Sequence, residues 1–134
     1  MNIRHNASLI FMLLFAFAAC NRKESCQGSI CTADYKMILV AMVDSNGNPF
    51  VPEKVETYDA SQTLLNVQTD PSISGQNVYT VVDDSDLGFF EVDQNEVVTM
   101  KIYQSGAVVH QAQFEISRDC CHVQKVSGLD TLVL

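Results

Sequence analysis

Apolar and polar residues alternate along residues 96–104 ("EVVTMKIYQ"), and this alternation predicts a β-strand. Val98, Met100 and Ile102 fall on one face, with polar side chains between them. A period of two indicates a strand that is buried on one side only.

The next segment, residues 107–117 ("AVVHQAQFEIS"), repeats the pattern. Its even-numbered positions from Val108 to Ile116 share a face, and Ser105 and Gly106 separate the two segments. Two alternating runs joined by a short turn containing glycine are typical of a β-hairpin.

An aliphatic run at residues 35–43 ("YKMILVAMV") predicts a strand that is buried on both faces or nearly so. It is followed by Asn46 and Gly47, a pair that strongly favours a tight turn between strands. The domain therefore opens with a buried strand and a tight turn.

Shorter segments predict the remaining strands, and no segment shows a helical repeat. The candidates are Lys54–Asp59, Thr63–Gln68, Val78–Val82, Cys121–Val126 and Thr131–Leu134. Turn signals recur about every 8 to 12 residues, as in sandwiches. We therefore predict an all-β fold, a single antiparallel β-sandwich of about seven strands.

The N-terminus has the layout of a secretory signal. Arg4 precedes an apolar run from Leu9 to Phe17, and the small residues Ala18 and Ala19 follow. The run is too short for a stable membrane helix, which needs about 20 apolar residues.

The ending "FAAC" resembles the lipobox of bacterial lipoproteins, although Phe17 stands where an aliphatic residue is usual. The resemblance implies that Cys20 is acylated, with palmitate among the expected chains, and becomes the first mature residue. Lipid chains then attach the protein to a membrane that it does not cross. We divide the chain into a signal peptide (1–19), a lipidated tether (20–33) and the sandwich domain (34–134).

The acidic balance bears on partners. The chain carries 16 Asp and Glu against 8 Lys and Arg, a net charge of −8. Because phosphate contacts are made by Lys and Arg, this composition argues against nucleic acid as a partner.

The stretch "VAMVDSNGNPFVPEKVETY" resembles the opening hairpin of carboxypeptidase regulatory-like domains, in the places held by Val43, Asp44, Gly47 and Pro49. That resemblance implies a transthyretin-like sandwich. The strand spacing also allows an immunoglobulin-like sandwich, so both arrangements stay open. Together with the acylated start and the late "DCCHV", the whole chain resembles small lipoproteins of Bacteroidetes-type bacteria. This resemblance carries no catalytic residues, and it implies an accessory protein of the cell envelope, with the outer membrane favoured.

Four cysteines remain beyond Cys20, and we expect them to form two disulfides: Cys26, Cys31, Cys120 and Cys121. An even number of cysteines in an exported chain favours bridges. Adjacent cysteines lie closer than bridged residues prefer, so Cys26 and Cys31 should each pair with Cys120 or Cys121. The sequence does not say which pairs with which, but at least one bridge should lie on the outer face or at a strand end.

Two other interpretations of the cysteines stay open at this point. With His122 they offer the sulfur and nitrogen ligands that zinc prefers, although the spacing between Cys26 and Cys31 is looser than in a zinc knuckle. A redox-active thiol pair is the second alternative, but it would need a lowered thiol pKa.

The two mature histidines are the candidates for acid–base chemistry. His110 falls on the apolar face of its strand, which favours a packed, hydrogen-bonded side chain. His122 follows the cysteine pair. The chain lacks a G-x-S-x-G motif to expose a serine, which argues against hydrolysis.

Asp83, Asp84 and Asp86 lie together in "VDDSDLG" and could bind calcium, a hard cation that takes carboxylate oxygens. The spacing lacks a complete calcium loop, and acidic clusters in turns are usually solvated. Asp84 and Asp86 are also too close in sequence to face each other across a glycosidase cleft.

We therefore expect a membrane-anchored, non-enzymatic binding or structural module without a cofactor or metal. Its partner would be a protein or a glycan that contacts the exposed turns near "DSNGNP" and "DDSDLG", with Phe89 and Phe90 as possible aromatic contacts. The alternative is a small enzyme or metal-binding protein that uses His122 with the cysteines or with residues 83–86.

Overall fold

The structure is a computed structural model that describes Cys26 and residues 28–69 and 77–134. The signal peptide and Cys20 lie outside the described residues, so their predicted roles stay predictions. Eight strands and one 3₁₀ helix follow in chain order. They are β1 (Met37–Val43), β2 (Lys54–Tyr58), β3 (Leu64–Gln68), β4 (Val78–Asp83), the 3₁₀ helix (Asp84–Phe89), β5 (Glu96–Gln104), β6 (Ala107–Arg118), β7 (Val123–Ser127) and β8 (Thr131–Val133).

The strands form two packed sheets, which confirms the predicted all-β sandwich. One sheet has three strands in the order β4-β1-β8, and the other has five in the order β3-β2-β5-β6-β7. All neighbours are antiparallel except β1 and β8, which are parallel. The prediction of a purely antiparallel sandwich was wrong at this pair, because the C-terminal segment returns to β1 by crossing from the other sheet rather than through a hairpin.

The core lies between the sheets. Ile38, Val40 and Met42 contribute from β1, and the apolar face of β5 predicted from alternation, Val98, Met100 and Ile102, is fully buried. Burial of these apolar side chains is the main stabilising contribution. The outer face of β1 is only half-buried, so the prediction of burial on both faces holds for one face alone.

The two predicted turns have different outcomes. Ser105 and Gly106 both have positive φ, the conformation of a two-residue hairpin turn, and they join β5 to β6 as predicted. Asn46 and Gly47 also form a tight turn, in which the Asp44 carboxylate accepts the N–H groups of Asn46 and Asn48, both at 2.8 Å. The chain then pairs with β1 only at the Val43–Pro49 bridge and crosses to the other sheet, so β1 and β2 do not form a hairpin.

The sandwich has two distinct ends. β6 runs from the Ser105–Gly106 turn to the cysteine pair, and its 12 residues span roughly 40 Å. We call the end with Cys120 and Cys121 the cysteine end. The opposite end, with the turns at residues 44–49 and 105–106, is the distal end.

Candidate functional site

Two disulfides join the N-terminal segment to the cysteine end. Cys26 is bonded to Cys120 and Cys31 to Cys121, with Cα atoms 5.3 Å apart in each pair. The predicted cross-pairing is confirmed, and the structure adds the connectivity. Because all four cysteines are bonded, none of them offers the thiolate that a zinc ligand or a reactive thiol pair needs.

Cys120 and Cys121 lie in the turn between β6 and β7. The predicted strand from Cys121 begins too early, because β7 starts at Val123. Asp119 holds the turn: one oxygen of its carboxylate accepts the N–H groups of Cys121 at 2.7 Å and His122 at 2.8 Å. These two bonds hold the pKa of Asp119 below its ordinary value. Both bridges therefore sit at a strand end, where at least one of them was expected on the outer face or at such an end.

A chain of hydrogen bonds links Thr32, His122 and Asp84 beside the bridges. The Thr32 hydroxyl lies 3.1 Å from Nε2 of His122, and Nδ1 of His122 lies 2.8 Å from the Asp84 carboxylate. Asp84 also accepts the backbone N–H groups of Lys36 at 2.8 Å and Val123 at 2.9 Å. These hydrogen bonds connect the N-terminal segment, the 3₁₀ helix and the start of β7.

Opposing effects act on the pKa of Asp84. Burial tends to raise it, but the hydrogen bonds from Lys36, His122 and Val123 outweigh burial and hold the pKa below its ordinary value. Asp84 is therefore a charged acceptor that fixes the orientation of the His122 ring.

The other two aspartates of the acidic segment have separate structural roles. Asp83 caps the 3₁₀ helix by accepting the Ser85 N–H at 2.8 Å, and it also accepts the Tyr35 hydroxyl at 2.6 Å. Asp86 is buried and accepts the Asp83 N–H at 3.1 Å, and burial raises its pKa. Within the described part of the chain, no group of three or more His, Cys, Asp or Glu side chains is arranged to hold a metal ion.

Phe89 and Phe90 do not form an aromatic pair at the surface. Phe89 is half exposed, whereas Phe90 is buried in the core. Phe89 ends the 3₁₀ helix and Phe90 follows it, so both belong to the cysteine end, together with "DDSDLG". Of the two turns predicted to meet a partner, only "DSNGNP" lies at the distal end.

A small apolar cleft opens at the distal end. It has a volume of about 290 Å³ and is lined by Phe50, Gln104, Val109, His110, Val133 and Leu134. Its walls come from the turn that follows β1, from the β5–β6 hairpin and from the C-terminus. Recognition sites often combine apolar walls with a few polar groups, and Gln104 and His110 supply the polar groups here.

His110 is half-buried at this cleft. We predicted that His110 is packed and hydrogen-bonded. The predicted hydrogen bond was wrong, because the ring makes none to any described residue. A β-bulge explains the position: Ile102 pairs with His110 and Tyr103 with Val108, which leaves Val109 as the extra residue. A bulge redirects side chains, and here two consecutive residues line one cleft.

Sequence reasoning missed both the cleft and the Thr32 contact. The cleft needs segments from three parts of the chain to meet, and Thr32 lies 90 positions from His122. The one available signal was the interruption of β6 by two successive valines, Val108 and Val109, before the histidine.

Comparison with known protein families, curated proteins and solved structures finds no match for this chain. A search of the described residues for membrane-crossing segments finds no helix with the necessary length and apolar character.

Proposed function

We propose that the protein is a lipid-anchored lipoprotein of the bacterial cell envelope, most consistent with the outer membrane, whose sandwich acts as a non-enzymatic binding module. The observation that carries this proposal is the separation of the two ends. The N-terminal segment is fixed to the cysteine end, and the apolar cleft opens at the distal end.

This separation has a direct consequence for an anchored protein. A lipid on Cys20 would hold the cysteine end near the membrane, since Cys20 lies six positions before the bridged Cys26. The cleft would then point away from the bilayer, where a protein or glycan partner can reach it. The two bridges fix Cys26 and Cys31 to the cysteine end, so the sandwich is held to this segment at the end opposite the cleft.

The composition of the cleft supports binding. Apolar walls gain free energy when they exclude water from a partner, and two polar side chains can orient that partner. The net charge of −8 disfavours anionic partners such as nucleic acid.

The anchor is tested by labelling cells with a radioactive fatty acid. The parent protein should carry label and sediment with the membranes, and Cys20→Ala should lose both properties. The paired substitution Cys26→Ala with Cys120→Ala is the control, because it removes a cysteine of the same segment and should keep the label. A labelled Cys20→Ala protein would refute acylation at Cys20.

A second candidate function rests on Thr32, His122 and Asp84. A hydroxyl within hydrogen-bond reach of an imidazole, which is in turn oriented by a carboxylate, is the arrangement of an activated nucleophile. On this alternative, His122 would accept the Thr32 proton as the hydroxyl attacks an ester, and would pass that proton to the alcohol that leaves. Water would then hydrolyse the acyl group from Thr32 and release the acid.

Hydrolysis of p-nitrophenyl acetate decides between the two candidates. The binding proposal predicts equal rates for the parent protein, Thr32→Ala and His122→Ala. The enzyme alternative predicts that both substitutions abolish a rate well above background.

A further inference from the structure

The sandwich leaves one strand edge open beside the distal cleft. β7 pairs with β6 only at Glu115–Arg118, and it then ends as the chain crosses to the other sheet. Gly128 then lies against Phe114, and none of the described strands pairs with that side of β6 from Ala107 to Gln113. The backbone N–H and C=O groups on such an edge can accept another strand.

The edge strands β3, β7 and β8 each have at least one protecting feature. On β3, the Gln68 side chain bonds both the N–H and the C=O of Thr80 on β4, at 3.0 and 2.8 Å, and so links the two sheets. β7 carries Lys125, whose ammonium pairs with Asp130, and β8 has only three residues. Charge, coverage and shortness are the usual means by which proteins prevent unwanted pairing.

The open part of β6 has few of these protections. No charged residue and no proline occurs from Gln104 to Phe114. The bulge at Val109 interrupts the edge once, but it also turns Val109 and His110 toward the cleft. A strand added along His110–Gln113 would therefore pass directly over the cleft mouth.

Two polar groups at the cleft have unused hydrogen-bonding capacity. The carbonyl oxygen of the Gln104 side chain accepts the Glu53 N–H at 3.1 Å, and its amide nitrogen makes no bond to a described residue. The His110 ring also lacks a bond to the described residues. The volume of about 290 Å³ lies at the small end of ligand pockets, which suits a single large side chain.

Charge specifies the partner further. The chain has a net charge of −8. Glu53 lies beside the cleft: its main-chain N–H bonds the cleft residue Gln104, and its carboxylate accepts the N–H of Gly106. Asp44 directly follows Val43, whose carbonyl accepts the N–H of the cleft residue Leu134 at 2.8 Å. A second copy of this acidic chain would meet like charges here, whereas a basic segment would be attracted.

We infer that the open edge of β6 and the distal cleft together bind an extended, basic peptide segment of a partner protein. The segment adds as a strand to β6 and inserts one large apolar side chain between Phe50, Val109 and Val133. A glycan or a lipid would fill the cleft but would leave the edge unpaired, so the edge favours a polypeptide. This inference rests on the proposed binding function and names its partner class.

The test is fluorescence anisotropy with the full, oxidised chain and a panel of labelled seven-residue peptides. Each peptide alternates threonine and valine, has lysine at both ends, and has Phe, Leu, Met or Tyr at its centre. We expect at least one member to bind with a Kd below about 1 mM, since short strand peptides gain little free energy. Replacing the terminal lysines by glutamate should weaken binding at least tenfold at low salt.

Two comparisons test the binding mode. Val109→Lys should weaken binding at least tenfold, whereas Val126→Lys, at a similarly exposed valine of β7, should bind like the parent. Methylating alternate backbone nitrogens of the best peptide should abolish binding, because it removes the donors of an added strand. This second comparison does not depend on the folding of any variant.

Four results would overturn the inference: no binding by any peptide at about 1 mM, equal binding of the methylated peptide, equal binding by Val109→Lys, or stronger binding of the acidic peptide. Light scattering that shows a dimer lost in Val109→Lys would also overturn it, because the occupant would then be a second copy. Fatty-acid labelling of Cys20 reports on anchoring separately, so failure here leaves that part of the proposed function standing.

Discussion

At the scale of single residues, Thr57 is a polar residue whose side chain is buried. Its side chain is fully excluded from solvent in β2, and its hydroxyl has no hydrogen-bond partner among the described residues. A buried polar group without a partner costs about 1 to 3 kcal/mol. Thr57→Val keeps the branched shape and removes the hydroxyl, so we expect the free energy of unfolding to rise by about 1 kcal/mol. Urea denaturation measures the free energy of unfolding, and Thr99→Val, at a half-buried position of β5, is the control. A lower free energy of unfolding for Thr57→Val would contradict the prediction.

The main chain at Gly128 lies directly against a core side chain. Its φ is +122°, and a Cβ atom there would lie 2.4 Å from the Phe114 ring, which is itself buried. Gly128→Ala should therefore lower the free energy of unfolding by about 2 kcal/mol, through strain and forced movement of the ring. Gly88→Ala is the matched control, since nothing lies within 4 Å of the added atom. Equal thermal midpoints for the two variants would refute the proposed clash.

At the scale of elements, the outer faces of β2 and β5 form a network around Glu56. The carboxylate pairs with Lys54 at 2.8 Å and accepts the Tyr58 hydroxyl at 2.7 Å. The ammonium groups of Lys54 and Lys101 lie 4.2 Å from the ring centres of Tyr103 and Tyr58. These cross-strand contacts join β2 to the centre of the five-stranded sheet.

This network makes the free energy of unfolding depend on pH in the acidic range. The hydrogen bond from Lys54, followed by those from Tyr103 and Tyr58, lowers the pKa of Glu56 from 4.5 to about 2. A carboxyl whose pKa falls on folding stabilises the protein above its unfolded pKa, and this contribution is lost as pH drops from 4.5 toward 2.

Glu56→Gln cannot undergo that titration. The variant should be less stable than the parent at pH 7, and the difference between them should shrink as pH falls through this range. Urea midpoints measured along the pH series check this, and parallel curves for the two proteins would contradict it.

At the scale of the whole molecule, the two disulfides act as one clamp. Each links positions 90 or more residues apart, 94 for Cys26–Cys120 and 90 for Cys31–Cys121. Once one bridge exists, however, the second closes only a small ring through residues 26–31 and 120–121. In the chain-entropy model, a long loop contributes about 4 to 5 kcal/mol, and a ring of that size contributes about half as much.

The bridges should therefore not be additive. Replacing one pair, either Cys26 with Cys120 or Cys31 with Cys121, by serine should cost about 2 kcal/mol. Replacing both pairs should cost about 7 kcal/mol, more than three times as much. Denaturation of the two paired variants and of the fourfold variant tests this, and equal steps for the first and second bridge would contradict the clamp.

The strands themselves were largely predictable. β5 and β6 match residues 96–104 and 107–117 to within one residue, because alternation and the Ser105–Gly106 turn are local properties. Cysteine number and spacing were enough for two bridges between the N-terminal segment and the cysteine pair, since adjacent cysteines disfavour a bond to each other.

The candidate sites were much less predictable. His110 was placed on the correct face, but the cleft around it needs a bulge, a turn after β1 and the C-terminus to meet. Asp84 and His122 were each singled out, yet only the packed structure brings them together and adds Thr32. These contacts join residues 38 to 90 positions apart, and no local pattern records such distances.

The amino-acid sequence by itself determined the all-β class, the positions of the strands, the acidity and the pairing of early with late cysteines. Periodicity, turn residues and charge act over a few neighbouring positions, so they can be read without a structure. Only the tertiary structure decided which strands share a sheet, that β8 runs parallel to β1, and that a cleft and an open edge meet at the distal end. Those features depend on chain crossings and bulges, whose energies come from contacts between distant segments.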